Sequence, residues 1–322
     1  MNGGRDRRRA VVTGGAGFLG SHLCERLLDD GREVVAVDNL LSGTERNLTG
    51  LLGRPGFTFL RHDVCAPGAL ADLPGGPFGL VFHLACPASP ADYLRLPLET
   101  LETGSSGTRN ALELAARDGA RMVLASTSEV YGDPQVHPQR EDYWGHVNPV
   151  GPRSVYDEAK RYAEALVTAH RNTRGTDAAI VRIFNSYGPR MRAGDGRAVP
   201  TFVRQALAGE PLTVAGDGSQ TRSLCYVDDT VAGVLALAES DIDGPVNIGG
   251  EEETTVLDIA RRIIKLTGSA SPVAFVERPG DDPARRCPDT TLAREKLGWE
   301  PRVGWQEGLE RTIGWFARRA GA

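Results

Sequence analysis

Through the first 185 positions, apolar residues fall in short, nearly continuous runs, each followed by a stretch with helical spacing. The runs Ala10–Val12, Val34–Val37, Phe57–Arg61, Leu80–Leu84, Met122–Ser126 and Ala179–Phe184 predict strands, and residues 18–30, 99–117 and 154–174 predict helices. Strands apolar on both faces are buried on both faces, so this alternation predicts a parallel sheet covered by helices on each side. The expected class is α/β, a doubly wound sheet of Rossmann type over residues 1–185. After Asn185 the rhythm gives way to loops rich in Gly, Pro and Arg, shorter helices and isolated strands at Leu212–Val214 and Val246–Ile248. Residues 186–322 are therefore expected to form a smaller ligand-binding region, with part of 222–250 returning to the first unit.

Composition narrows the classes. The chain has 322 residues, 40% of them hydrophobic, and a formal net charge of −5; a chain of this size buries roughly 75% of its unfolded surface. The only basic run is Arg7-Arg8-Arg9, which gives no footprint for a phosphate backbone, so nucleic acid is not an expected partner. Thr13-Gly14-Gly15 interrupts the apolar stretch after that run, and no stretch approaches the ~18 residues of a membrane span. A cytoplasmic protein without membrane contact is expected. Cys24, Cys65, Cys86, Cys225 and Cys287 are scattered and lack C-x-x-C spacing, so neither a disulfide framework nor a metal site is expected. Only Lys160, Lys265 and Lys296 are lysine, against 34 arginines. Each lysine thus raises the question of whether an ammonium is needed there.

The segment Thr13-Gly14-Gly15-Ala16-Gly17-Phe18-Leu19-Gly20 follows the first strand and opens the first helix. Gly14, Gly17 and Gly20 let backbone N–H groups approach a pyrophosphate at the helix N-terminus, flanked by Phe18 and Leu19. The second strand ends in Asp38, 18 residues past Gly20, where a carboxylate accepts ribose hydroxyls and repels a 2′-phosphate. The expected cofactor is NAD. Asn39, Ser42, Gly43, Leu84 and Ala85 complete the expected cofactor contacts, with Asp63-Val64 at the adenine; Asp63 serves equally as a strand-end cap.

Two segments carry reactive groups. One strand ends in Thr127-Ser128-Glu129, and carboxyl ends of strands border the ligand crevice of an open parallel sheet. Downstream, Tyr156 and Lys160 are four apart, on one face of a predicted helix. A phenol titrating near 10 must fall by about 3 units, roughly 4 kcal/mol, to act as a base near neutrality. A neighbouring ammonium and a positive nicotinamide together supply such a shift in a dry cleft.

The glycine segment, Thr127, Tyr156 and Lys160 resemble the extended short-chain dehydrogenase/reductases that act on nucleotide sugars. Pro87-Ala88-Ser89-Pro90, the run Ser126 to Pro134, Glu141 to Pro149, Gly151-Pro152-Arg153, Arg182-Ile183-Phe184-Asn185, Gly188-Pro189-Arg190-Met191, Asp195-Gly196-Arg197 and Gly218 to Arg222 narrow the resemblance to the UDP-glucuronate decarboxylase family. The resemblance implies hydride removal from C4 of the glucuronic acid, with Tyr156 taking the hydroxyl proton. Loss of CO2 from the 4-ketone, protonation at C5 and hydride return then give UDP-xylose. It also implies that Thr127 holds the C4 oxygen, that Ser128 and Glu129 position the sugar and its protons, and that Arg286 assists beside it. Arg286 pairs on the surface with Asp281 or Asp282 in the alternative reading. Pro87, Ser89, Tyr93, Asn185, Arg197, Val199 and Arg222 are the remaining implied substrate contacts, Arg222 at the diphosphate and Tyr93 near the sugar carboxylate. A homodimer through two helices per subunit is also implied.

Rival activities meet the same residues. A 4,6-dehydratase of this superfamily carries Asp where Ser128 stands, and a plain 4-epimerase typically lacks the acid at Glu129. UDP-glucuronate 4-epimerase is the runner-up, and an NAD-binding scaffold without catalysis is the alternative of another class. Two departures from the family pattern stand out: Gly104-Ser105 where Asn-Thr is usual, and Cys86 where Ser is usual. The missing Asn is expected to loosen a hydrogen bond supporting the Tyr-Lys helix.

Overall fold

A computed structural model describes residues 8–320. Six strands of the large sheet come from the part of the chain up to residue 183: β1 (Arg9–Thr13), β2 (Glu33–Asp38), β3 (Phe57–Arg61), β4 (Leu80–His83), β5 (Arg121–Thr127) and β6 (Ala178–Ile183). A seventh, Val246–Ile248, joins β6, giving the order 246–248, β6, β5, β4, β1, β2, β3, parallel at every pairing. Alternate side chains of β1, β2 and β4 enter two apolar clusters, one on each face, as strands apolar on both sides require. The Rossmann class expected from the pattern is the one observed.

The order reverses between β1 and β4, and the crevice outside their carboxyl ends is where such sheets bind ligands. The helix α1 (Phe18–Asp29) leaves that crevice directly from β1. α2 (Pro90–Arg95) follows β4, capped by Ser89, whose Oγ accepts from the Asp92 N–H. The helix expected over 99–117 is not continuous. It is α3 (Pro97–Glu102), one π turn over Thr103–Gly107, and α4 (Thr108–Asp118). The π turn brings Gly104 against α5 (Ser154–Arg174), where a Cβ at position 104 would stand 2.7 Å from the Ala159 carbonyl oxygen. Helical periodicity alone does not register this wider turn, because tertiary contact with α5 sets it.

Beyond residue 185 the chain forms small strand pairs, Leu212–Ala215 with Val273–Val276 and Thr221–Ser223 with Glu253–Thr255, packed with helices Ala198–Ala208 and Val256–Thr267. Helix Val227–Glu239 and strand Val246–Ile248 return to the large sheet. These later segments roof the crevice.

Candidate active site

The crevice holds a cleft of about 560 Å³ continuing into a narrow extension at the β2 and β3 ends. Gly14 and Gly17 line both parts, Phe18, Leu19 and Gly20 the main cleft, and Asp38, Asn39, Gly43, Asp63, Val64 and Ala85 the extension; Ser42 and Leu84 border both. Asp38 is almost fully buried and accepts from the N–H groups of Ala16 (3.0 Å) and Leu40 (2.8 Å). Burial pushes its carboxyl up, opposed by those two bonds. Asp63 accepts from Asn39 Nδ2 at 3.3 Å and from the Cys65 N–H at 2.9 Å, joining the strand-end cap to the extension wall. A side chain at position 20 would collide with the Gly14 carbonyl, so glycine there lets α1 start flush against the β1 turn. That start leaves backbone facing the cleft, a cradle whose shape and carboxylate fit a dinucleotide with a free ribose 2′-hydroxyl.

The reactive groups converge farther along. Tyr156 and Lys160 are both buried on one face of α5. The Lys160 ammonium lies 5.9 Å from the Tyr156 ring centroid and donates to the Ala125 carbonyl at 2.8 Å, so β5 anchors it from behind. Burial pushes the Tyr156 phenol far up, and the neighbouring Cys86 adds to this; a hydrogen bond with Thr127 and the Arg197 charge pull the other way. Tyr93 stacks on the Tyr156 ring, and its own buried hydroxyl has no partner.

Thr127 and Ser128 are buried at the β5 end, where the Thr127 hydroxyl accepts from the Glu129 N–H. Glu129 Oε2 accepts from Arg153 Nη2 at 2.7 Å and from Arg286 Nη2 at 3.1 Å. Burial alone raises such a carboxyl, but the two guanidiniums more than offset it and hold Glu129 ionised, well below the ordinary carboxylate range. Arg286 is neither on the surface nor in the cleft wall. It is 1% exposed and donates to the carbonyls of Ser128 and Gly132 as well as to Glu129, so it braces the strand end from beneath.

The remaining expected residues divide as follows. Ser89, Tyr93, Asn185, Arg197, Val199 and Arg222 line the main cleft, whereas Pro87 lines the extension. Asn185 presents a buried Nδ2 with no partner. Arg197 is held by Asp195, and Arg222 Nη2 donates to both carboxylate oxygens of Asp282 at 2.9 and 3.0 Å. Sequence reasoning missed Arg153 and Asp282. Arg153 sits three residues before Tyr156, a spacing that places it on the same helical face, and it lines the cleft with its Nε unpartnered.

Residues 10–249 match the NAD dependent epimerase/dehydratase family. A UDP-glucuronic acid decarboxylase 1 of Danio rerio is 50% identical over 314 residues, 98% of this chain and 74% of that protein. This chain belongs to the UDP-glucuronic acid decarboxylases of that family. Among solved structures, UDP-glucose 4-epimerase of Thermotoga maritima, with UDP-glucose, superposes with a TM-score of 0.89 at 31% identity, covering 97% of this chain and 99% of that one. UDP-glucuronic acid 4-epimerase of Bacillus cereus, a complex with a fluorinated UDP-glucuronic acid and NAD, gives 0.85 at 28% identity, covering 97% and 99%. The cofactor of this family is NAD, and the cradle between β1 and α1 suits it.

Proposed function

We propose that this chain catalyses the NAD-dependent decarboxylation of UDP-glucuronate to UDP-xylose, with Tyr156 as the acid–base at the C4 oxygen. The carrying observation is the meeting of Thr127, Glu129 and Tyr156 in one cleft, walled by an unpartnered phenol, an unpartnered amide and the Arg153 guanidinium. Gly14, Gly17, Asp38 and Lys160 would hold the cofactor, which supplies reversible hydride acceptance at C4. Thr127 and Tyr156 hold the C4 oxygen, so that as a ketone it takes up the electron pair left at C5 when CO2 departs. Tyr156 receives the hydroxyl proton and returns it to the same oxygen. Lys160, fixed by Ala125, favours the phenolate by its charge. Glu129, ionised at rest, accepts hydrogen bonds from sugar hydroxyls, and Ser128 orients the ring beside it. Arg286 positions Glu129, and Arg153 together with Tyr93 faces the sugar carboxylate. Arg222, after exchanging Asp282 for the diphosphate, and Arg197 and Asn185 hold the nucleotide.

Incubation with UDP-glucuronate labelled at C6 tests the reading. Labelled CO2 together with UDP-xylose is the expected result; UDP-galacturonate with its carbon count unchanged overturns it.

Two copies pair through α4 and α5 in this proposal. Leu98 and Leu101 on α3 and Tyr162 on α5 are exposed apolar side chains flanking that face, and sedimentation velocity measures the resulting mass. Among the described residues no helix is long and apolar enough to cross a membrane, and the five cysteines are free thiols, which supports a reducing, cytoplasmic setting.

A further inference from the structure

A second cavity, of about 520 Å³, lies next to the main cleft, lined by Asp133, His146, Arg278 and Asp281 among others. Arg153 and Asp282 line both spaces and so form the partition between them. Asp157 faces the second cavity. It follows Tyr156 in α5, is 6% exposed, and its Oδ1 is sealed from solvent without a hydrogen-bond partner.

The charges around Asp157 come from several elements. Glu129 acts from the turn after β5, Arg153 from the start of α5, Arg286 from the C-terminal segment and Glu158 from its own helix, while Tyr93 of α2 feels its charge in turn. Burial comes first, and the Glu129 charge second, in pushing the Asp157 carboxyl up, against the pull of Arg153 and Arg286. Two neighbouring carboxyls are thus driven apart: Glu129, clamped by two guanidiniums, is held ionised, and Asp157 is pushed up to about 7, where it can take and give a proton near neutrality.

Decarboxylation as read above consumes one proton. The carboxylate leaves as CO2, its electron pair stays at C5 in conjugation with the C4 ketone, and C5 must then gain H⁺. Tyr156 takes a proton from the C4 oxygen and returns that same proton, so it supplies none to C5. Glu129 has none to give.

We propose that Asp157 is the proton relay for C5, passing its proton through water at the Arg153 partition into the cleft and regaining one from solvent through the second cavity. Asp157 does not touch the sugar; it acts through water. Over one turnover the carboxyl loses and recovers a single proton, and bulk solvent supplies the one that ends on C5. The proposal rests on the decarboxylase reading.

The test uses the full chain with NAD and UDP-glucuronate labelled at C6, following labelled CO2, reduced nicotinamide absorbance and UDP-xylose. Asp157→Asn should still release CO2 in its first turnover, yet hold the cofactor reduced and form UDP-xylose about 100-fold more slowly. Asp157→Glu, which restores a titratable proton, should recover most of the rate. In the unaltered protein, UDP-xylose formation should fall relative to first-turnover CO2 release as pH rises and Asp157 ionises, a readout independent of how either variant folds. An Asp157→Asn rate and pH profile like those of the unaltered protein overturn the relay. So does an equal loss of CO2 and UDP-xylose with the pH profile unmoved, which marks a structural role. Absence of labelled CO2 from the unaltered protein overturns the decarboxylase reading instead, and the relay with it.

Discussion

The ring of Tyr93 lies flat against that of Tyr156, centroids 5.3 Å apart and planes within 7° of parallel. α2 therefore holds the reactive phenol from the side opposite its own helix, and the two side chains form one aromatic wall of the cleft. Tyr93→Phe keeps the stack and removes only the unpartnered hydroxyl, so its expected effect is a raised KM for the UDP-sugar, about 5- to 10-fold for one lost hydrogen bond, with little change in melting temperature. Tyr93→Ala should lose about 3 kcal/mol or more of stability as well, by opening a cavity beside Tyr156. Steady-state kinetics and thermal melts of the pair of variants separate the two effects.

Arg222 is held by a carboxylate of its own chain. Both Asp282 oxygens accept from the Arg222 Nη2, the Arg222 Nη1 donates to the Thr221 and Pro283 carbonyls, and Arg278 and Arg153 lie within 4.0 Å of the same carboxylate. Replacing Asp282 by Asn removes the competing charge while keeping its shape. A UDP-sugar should then bind about 3- to 10-fold more tightly at low ionic strength, the gain shrinking as salt screens the site. Calorimetric titrations at two salt concentrations measure this, and weaker binding at both would show that Asp282 organises the site instead.

Gly104 stands where the family resemblance leads one to expect Asn, and the structure leaves no room for that side chain. Its α-carbon packs on Ala159, one residue before Lys160, so the π turn supports the Tyr-Lys helix by contact and not through an amide. Gly104→Asn should push α3 away from α5, lowering the melting temperature by several degrees through an overpacking cost of about 1–3 kcal/mol and reducing kcat. Restoring the residue usual in the family is thus expected to harm this chain. A gain in either quantity would show that the turn can open without loss.

His83 ends β4 fully buried, with Nδ1 2.8 Å from Thr13 Oγ1 and Nε2 3.2 Å from Thr108 Oγ1. Burial, then the nearby Lys160 charge, lowers its pKa to about 3, and burial lowers that of His22 to about 4. Between those values and the ordinary 6.5, the unfolded chain binds protons that the folded chain does not. The stability these neutral rings allow is complete above pH 6.5 and is lost as pH falls toward 3, by up to about 1.4 kcal/mol per unit for each ring. Denaturant melts at pH 7.0 and 5.5 should show the fall, and His83→Asn should make it shallower.

The glycine segment, Asp38, the Thr127 strand end and the Tyr156–Lys160 spacing were legible because each is a local pattern: a turn, a strand terminus or one helical repeat. Arg286 was legible as a residue but not in its place. Its partners Ser128, Glu129 and Gly132 are more than 150 positions away, and only the packing of the C-terminal segment under β5 buries it there. The π turn was hidden for a related reason, since helical periodicity runs almost unbroken through 99–117 while Ala159 decides where the extra residue goes.

By itself the sequence determined the parallel sheet, the glycine-rich turn with Asp38 after it, and the residues that meet in the candidate cleft, because strand burial and helical spacing are short-range properties. The tertiary structure decided their charge states. Two guanidiniums from distant segments keep Glu129 ionised, burial and the Glu129 charge push the Asp157 carboxyl up, and Asp282 pairs with Arg222. Those states depend on burial and on charges brought together from across the fold, and these exist only once the chain has closed around the cleft.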